Sequence, residues 1–163
     1  MKNLTKVIAL GAVSVWAVLA SAATAETAKS APRTSHDLLG EGVGLVGYDP
    51  VSYFPDGGSR PVKGHIMTSA EYDGVTYRFA SEEHRALFQK NPARYVPAYG
   101  GWCTWAVAEL GKHVDVDPEA YVVKNGKLYV FYRDPKLDTR AKFLEDPDGM
   151  LAKAEANWPA LSK

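Results

Sequence analysis

The sequence predicts an α+β domain, a small antiparallel sheet of two hairpins with helices packed against it. Three observations carry this expectation. Asp73-Gly74 and Asn125-Gly126 accept the positive φ angles of a two-residue hairpin turn, and extended residues flank both. Ser81 followed by Glu82 and Glu83 has the form of a helix cap with an acidic first turn. Without an export-type leader, the 163 residues reduce to about 138, which suits one core.

The elements follow in order. Lys2 and Lys6 bracket the start of an uncharged run from Val7 to Ala20. Ala20-Ser21-Ala22 and Ala23-Thr24-Ala25 then offer small-x-small cleavage sites. Residues 1–25 are expected to form a Sec-type signal peptide, cleaved after Ala25, with the mature protein periplasmic or secreted. Val7–Ala20 is shorter than the roughly 20 apolar residues that span a bilayer, so no membrane attachment is expected after cleavage. An uncleaved anchor is the alternative if the small residues up to Ala25 are counted with the run. Of 19 basic residues, Lys2 and Lys6 leave with the signal, so 17 face 19 acids and the net charge is −2. Nucleic-acid binding needs a concentrated basic face, which this balance does not supply.

Residues 26–43 are expected to be a flexible leader, polar and aperiodic through His36. The glycines at 40, 42, 44 and 47 alternate with apolar residues but lack the Lys-Ser/Thr of a phosphate loop. The domain proper is expected over 44–160. Asp49-Pro50 favours a turn, and an extended run from Pro61 to Met67 precedes the first hairpin. Val75, Tyr77 and Phe79 alternate with Thr76 and Arg78, as in a half-buried strand. The helix capped by Ser81 places His84, Leu87 and Phe88 on one face and ends before Asn91-Pro92. Trp102 to Ala108 is too continuously apolar to distinguish a buried strand from the start of a helix. After the second hairpin, helices are expected over Asp138–Asp146 and Gly149–Asn157. Met150, Leu151 and Ala154 face inward in the second of these, and Trp158 serves as a core anchor.

Asp49-Pro50-Val51-Ser52, Tyr77-Arg78-Phe79-Ala80-Ser81 with His84 and Phe88, and Asn91-Pro92-Ala93-Arg94-Tyr95 together resemble the YHS domain. With Tyr99-Gly100-Gly101-Trp102-Cys103 and Asn125-Gly126-Lys127-Leu128-Tyr129, the pattern from Gly44 to Trp158 is similar to the exported YHS domain-containing (seleno)proteins of bacteria. The resemblance implies a small antiparallel sheet packed with helices, and metal or redox chemistry in some members. In the metal-associated form, thiols occupy the positions of Ser52, Ala80 and His84. This chain departs from the pattern at all three, and His84 alone keeps a metal-binding atom.

The candidate chemistry then rests on few residues. Cys103 is the single cysteine, so it forms no internal disulfide. It is a buried thiol, a soft-metal ligand or a redox group. His84 is a core histidine or a metal ligand. A ligating imidazole needs a fixed partner for its second nitrogen, and Asp49 and Tyr48 are the nearest motif residues. His65 and Met67, two apart on an extended run, present a His-x-Met pair suited to copper. The expected metal set is therefore Cys103, His84, His65 and Met67, with copper or zinc as the ion. An aromatic pocket of Tyr48, Tyr99, Trp102 and Trp105 is expected to take a small ligand or a protein partner. The function expected is a non-enzymatic YHS-type binding domain that binds or senses a transition metal. The alternatives are a thiol-based redox protein using Cys103 and a structural module built on the aromatic pocket. Gly-Trp-Cys-Thr-Trp is not the nucleophile motif of a papain-like enzyme.

Overall fold

The computed structural model describes residues 36–39 and 42–163. The expected signal peptide and all but the end of the expected leader lie outside the described residues. Those described form a mixed α+β fold with two small sheets and five α-helices. The strands are β1 (Leu38–Leu39), β2 (Val43–Gly44), β3 (His65–Tyr72), β4 (Val75–Phe79), β5 (Asp117–Lys124) and β6 (Lys127–Phe131). The helices are α1 (Glu82–Lys90), α2 (Pro92–Tyr95), α3 (Thr104–Leu110), α4 (Thr139–Glu145) and α5 (Pro147–Leu161).

Both expected hairpins form. Asp73 and Gly74 have φ of 52° and 73°, and Asn125 and Gly126 have 54° and 74°. Two successive positive φ angles match the right-handed twist of the flanking strands. The hairpins do not share a sheet, however, and the expectation of one antiparallel sheet is corrected here. β3 and β4 belong to a sheet ordered β1-β2-β4-β3, whereas β5 and β6 form a second sheet alone. Edge recruitment explains the first sheet. Val43 pairs with Thr76 in parallel register, and Leu38–Leu39 pairs with β2. Residues read from sequence as leader thus complete a sheet, because the free edge of β4 takes the nearest extended backbone.

The helices follow their caps. The Ser81 side chain accepts from the His84 backbone N–H at 3.1 Å and starts α1. Asp138 and Asp146 cap α4 and α5 in the same way. The stretch after Cys103 resolves as helix α3 rather than strand. Left-handed Gly111 ends it with φ of 56°.

Two cores lie on either side of β6. Leu128 and Val130 pack with Val75, Tyr77, Phe79 and Phe88, while Tyr129 and Phe131 pack with Tyr99, Val107 and Phe143. Successive strand residues point to opposite faces. A strand buried from Leu128 to Phe131 therefore supplies side chains to both cores and fuses them into one compact unit. The chain also makes one backbone-on-backbone contact at the edge of the first sheet. A Cβ added at Gly64 would lie 2.3 Å from the Arg78 carbonyl carbon and 2.6 Å from the Phe79 nitrogen. Glycine is required there because backbone, not a movable side chain, fills the space.

Candidate functional site

The first site is built around a carboxylate. Asp49 has no solvent exposure. The chain reaches it through a left-handed turn at Leu45–Gly47, in which Val46 holds φ of 53°, a costly angle for a β-branched residue. Asp49 Oδ1 accepts from the Val51 N–H at 2.8 Å, closing the Asp-Pro-Val turn locally. Oδ2 accepts from the Ala80 N–H at 2.8 Å and from His84 Nδ1 at 2.6 Å. One side chain thereby ties the 49–52 loop to the end of β4 and the first turn of α1. Ser52 is also buried. Its hydroxyl donates to the Asp49 carbonyl at 2.7 Å and accepts from the Val62 N–H at 3.2 Å. Both of its hydrogen-bonding roles are thus engaged in holding the loop.

The electrostatic consequence falls on His84. Because a carboxylate only accepts, the proton of the neutral ring resides on Nδ1 and the lone pair on Nε2. The His84 side chain is 18% exposed and Asp49 is at 0%. The ring is therefore held by its inner nitrogen, with its outer nitrogen available as a base or ligand. Of the two motif residues considered as its partner, Asp49 makes the bond. Tyr48 instead donates to Glu119 Oε1 at 3.0 Å, and Lys63 lies over its ring at 5.3 Å.

Cys103 is held elsewhere. The chain approaches it through a second left-handed turn, with Tyr99 at φ 52°, Gly100 at 61° and Gly101 at 85°. The double glycine meets the need for consecutive positive φ angles, which cost a side-chain-bearing residue about 1–2 kcal/mol each. Cys103 itself is fully buried, and its Sγ lies 3.3 Å from Thr139 Oγ1. Thr139 Oγ1 donates its one proton to the Tyr132 carbonyl at 2.8 Å. With that proton engaged, Oγ1 is placed to accept from the S–H, and full burial keeps the sulfur from solvent-borne reagents. An Ellman-type titration of the folded protein is expected to show no fast-reacting thiol, with one appearing on unfolding in urea. Stoichiometric reaction of the native protein at neutral pH would contradict this and favour the redox reading.

The remaining predicted residues are dispersed. His65 opens β3 opposite Phe79, and Met67 is 88% exposed two residues on. Among the described residues no group of three His, Cys, Asp or Glu side chains is arranged to hold a metal. Cys103 meets Thr139 while His84 meets Asp49, and the structure does not gather the four expected ligands around one point. Of the four aromatics expected in one pocket, Tyr99 and Trp102 belong to the second core with Trp105 packed against it, whereas Tyr48 packs on the first. Tyr99 is buried, donates to Glu155 Oε1 at 3.1 Å and packs edge-on to Trp158 at 5.6 Å. Burial, then the Glu155 carboxylate, pushes its phenol well above the usual tyrosine range. Trp102 is buried and stacks on His113 at 4.6 Å, and Trp105 is half-buried beneath Lys142 at 5.1 Å. Trp105 and Cys103 do share an apolar cleft of about 160 Å³. Thr139, its third notable member, carried no signal in the sequence, since nothing local links it to a cysteine 36 residues away.

Comparison with known proteins adds no relative: no family model, no curated protein and no solved structure matches the chain.

Proposed function

We propose that this chain is an exported, non-enzymatic binding domain of YHS type that takes up a transition metal, copper or zinc, through His84. The observation that carries the reading is the 2.6 Å bond from His84 Nδ1 to buried Asp49. A metal-ligating histidine characteristically gives its second nitrogen to a carboxylate, which fixes the tautomer and raises the basicity of the ligating nitrogen. Imidazole suits both copper and zinc. The donor chemistry fits a single-imidazole site and does not fit a closed thiolate site. Ser52 is engaged in its loop, Ala80 offers no donor, and Cys103 is bonded to Thr139. With one protein ligand, the other coordination positions fall to water or to a second molecule. That arrangement favours exchange or sensing over permanent retention.

The test is titration of the protein with Zn(II) and Cu(II), followed by the imidazole ¹⁵N resonances of His84 and by the nitrogen coupling in the Cu(II) spectrum. One equivalent is expected to shift Nε2 of His84. His84→Ala is expected to abolish the effect and Cys103→Ser to retain it. Asp49→Asn is expected to weaken binding about 10–100-fold. Failure of the wild-type resonances to move, or undiminished binding in His84→Ala, would overturn the proposal.

A further inference from the structure

The cleft at Cys103 has a wall chemistry unlike that of the His84 site and stands independently of it. Trp105, Leu110, Val114 and Leu137 supply apolar walls, and Leu110 is 50% exposed at the rim. No charged side chain lines it. The thiol and hydroxyl groups that line it are already committed. The Cys103 S–H donates to Thr139, Thr139 to the Tyr132 carbonyl, and the Tyr132 hydroxyl to Asp134 Oδ2 at 2.7 Å. A water there would find few of the two to four polar partners that it needs. At about 160 Å³, the cleft, open to solvent beside Leu110, is comparable in size to a roughly 150 Å³ apolar cavity that binds benzene.

From these features we infer that the cleft between α3 and the start of α4 is a binding site for a small, neutral, apolar molecule of one or two rings. Size sets the upper limit on the ligand. The absence of a charged side chain and of an uncommitted hydroxyl or thiol disfavours carboxylates, amines and sugars, each of which would lose hydration with little compensation. Concave apolar surface with few polar groups is the usual form of a small-molecule site. Cys103 contributes here as a small apolar wall residue and takes part in no covalent step.

Toluene and indole are the probes, titrated into the full chain and followed by amide ¹H–¹⁵N spectra. Saturable shifts are expected at residues 103–114 and 132–139, with phenylalanine, as a zwitterion, producing none. Leu110→Lys, at the exposed rim, is expected to weaken indole binding at least tenfold, and Val114→Phe to remove it by filling the space. His84→Ala is expected to leave it unchanged, which separates this site from the metal reading. The absence of saturable shifts in the wild type would overturn the inference even if a variant failed to fold. So would shifts centred on exposed Ile66 and Met67, or identical shifts produced by raising protein concentration alone, which would mark self-association.

Discussion

Asp49→Ala is expected to lower unfolding stability by about 3–5 kcal/mol, because three donors lose a shared acceptor and each buried unsatisfied donor costs about 1–3 kcal/mol. The size follows from what is left behind. The buried Val51 N–H and the part-buried Ala80 N–H lose their acceptor, and His84 loses the partner that orients it. A natural domain has only about 5–15 kcal/mol in total, so this single change removes a large share of it. His84→Ala is expected to cost less, about 1.5–3 kcal/mol, because Asp49 keeps both backbone donors. Urea unfolding followed by tryptophan fluorescence ranks the two. If His84→Ala proves as costly as Asp49→Ala, the carboxylate is not what holds the loop to α1.

The second large effect is expected at Phe88, with about 3–5 kcal/mol lost on Phe88→Ala. Phe88 is the one buried residue of α1. Its ring meets Phe79 at 5.0 Å, Tyr77 at 5.1 Å, Tyr72 at 6.3 Å and Tyr95 at 6.4 Å. Four aromatic neighbours cannot close over the cavity without leaving their own packing, so relaxation recovers little of the loss. His84 lies one helical turn before Phe88 on the same face. The substitution should therefore also loosen the His84–Asp49 bond, seen as broadening of the His84 imidazole resonances in the protein that remains folded. Phe143→Ala is the control. Phe143 is fully buried in the other core, against Phe131 at 4.9 Å. It should cost a similar amount and leave the His84 signals sharp.

Legibility differed by kind of feature. Asp73-Gly74 and Asn125-Gly126 specified their turns because two adjacent backbone conformations are a local property, decided by the residues themselves. Ser81 and Asp138 announced helix starts for the same reason. Met150, Leu151 and Ala154 were readable as an inward face, and Ala154 is fully buried with the other two packed beside it. The Trp102–Ala108 run was ambiguous because it is apolar all round. The helix that forms from it, α3, packs against α5 and the second core, which no local period records. Of the site, His84 was legible as a residue of interest. Its partner was narrowed to two candidates, of which only Asp49 lies within bonding distance of it.

By itself, then, the sequence determined an α+β chain with two hairpins and capped helices, with His84 on an inward helix face and a single cysteine after a double glycine. Only the tertiary structure decided which groups meet. Asp49 reaches His84 across 35 residues, and Cys103 reaches Thr139 across 36. The hairpins part into two sheets, and β6 stands between two cores. The physical reason is one of range. Turn, cap and period are set by φ, ψ and side-chain spacing within a few residues. Which buried polar atom pairs with which is set by packing, where every donor must find an acceptor among whatever the fold has brought alongside it.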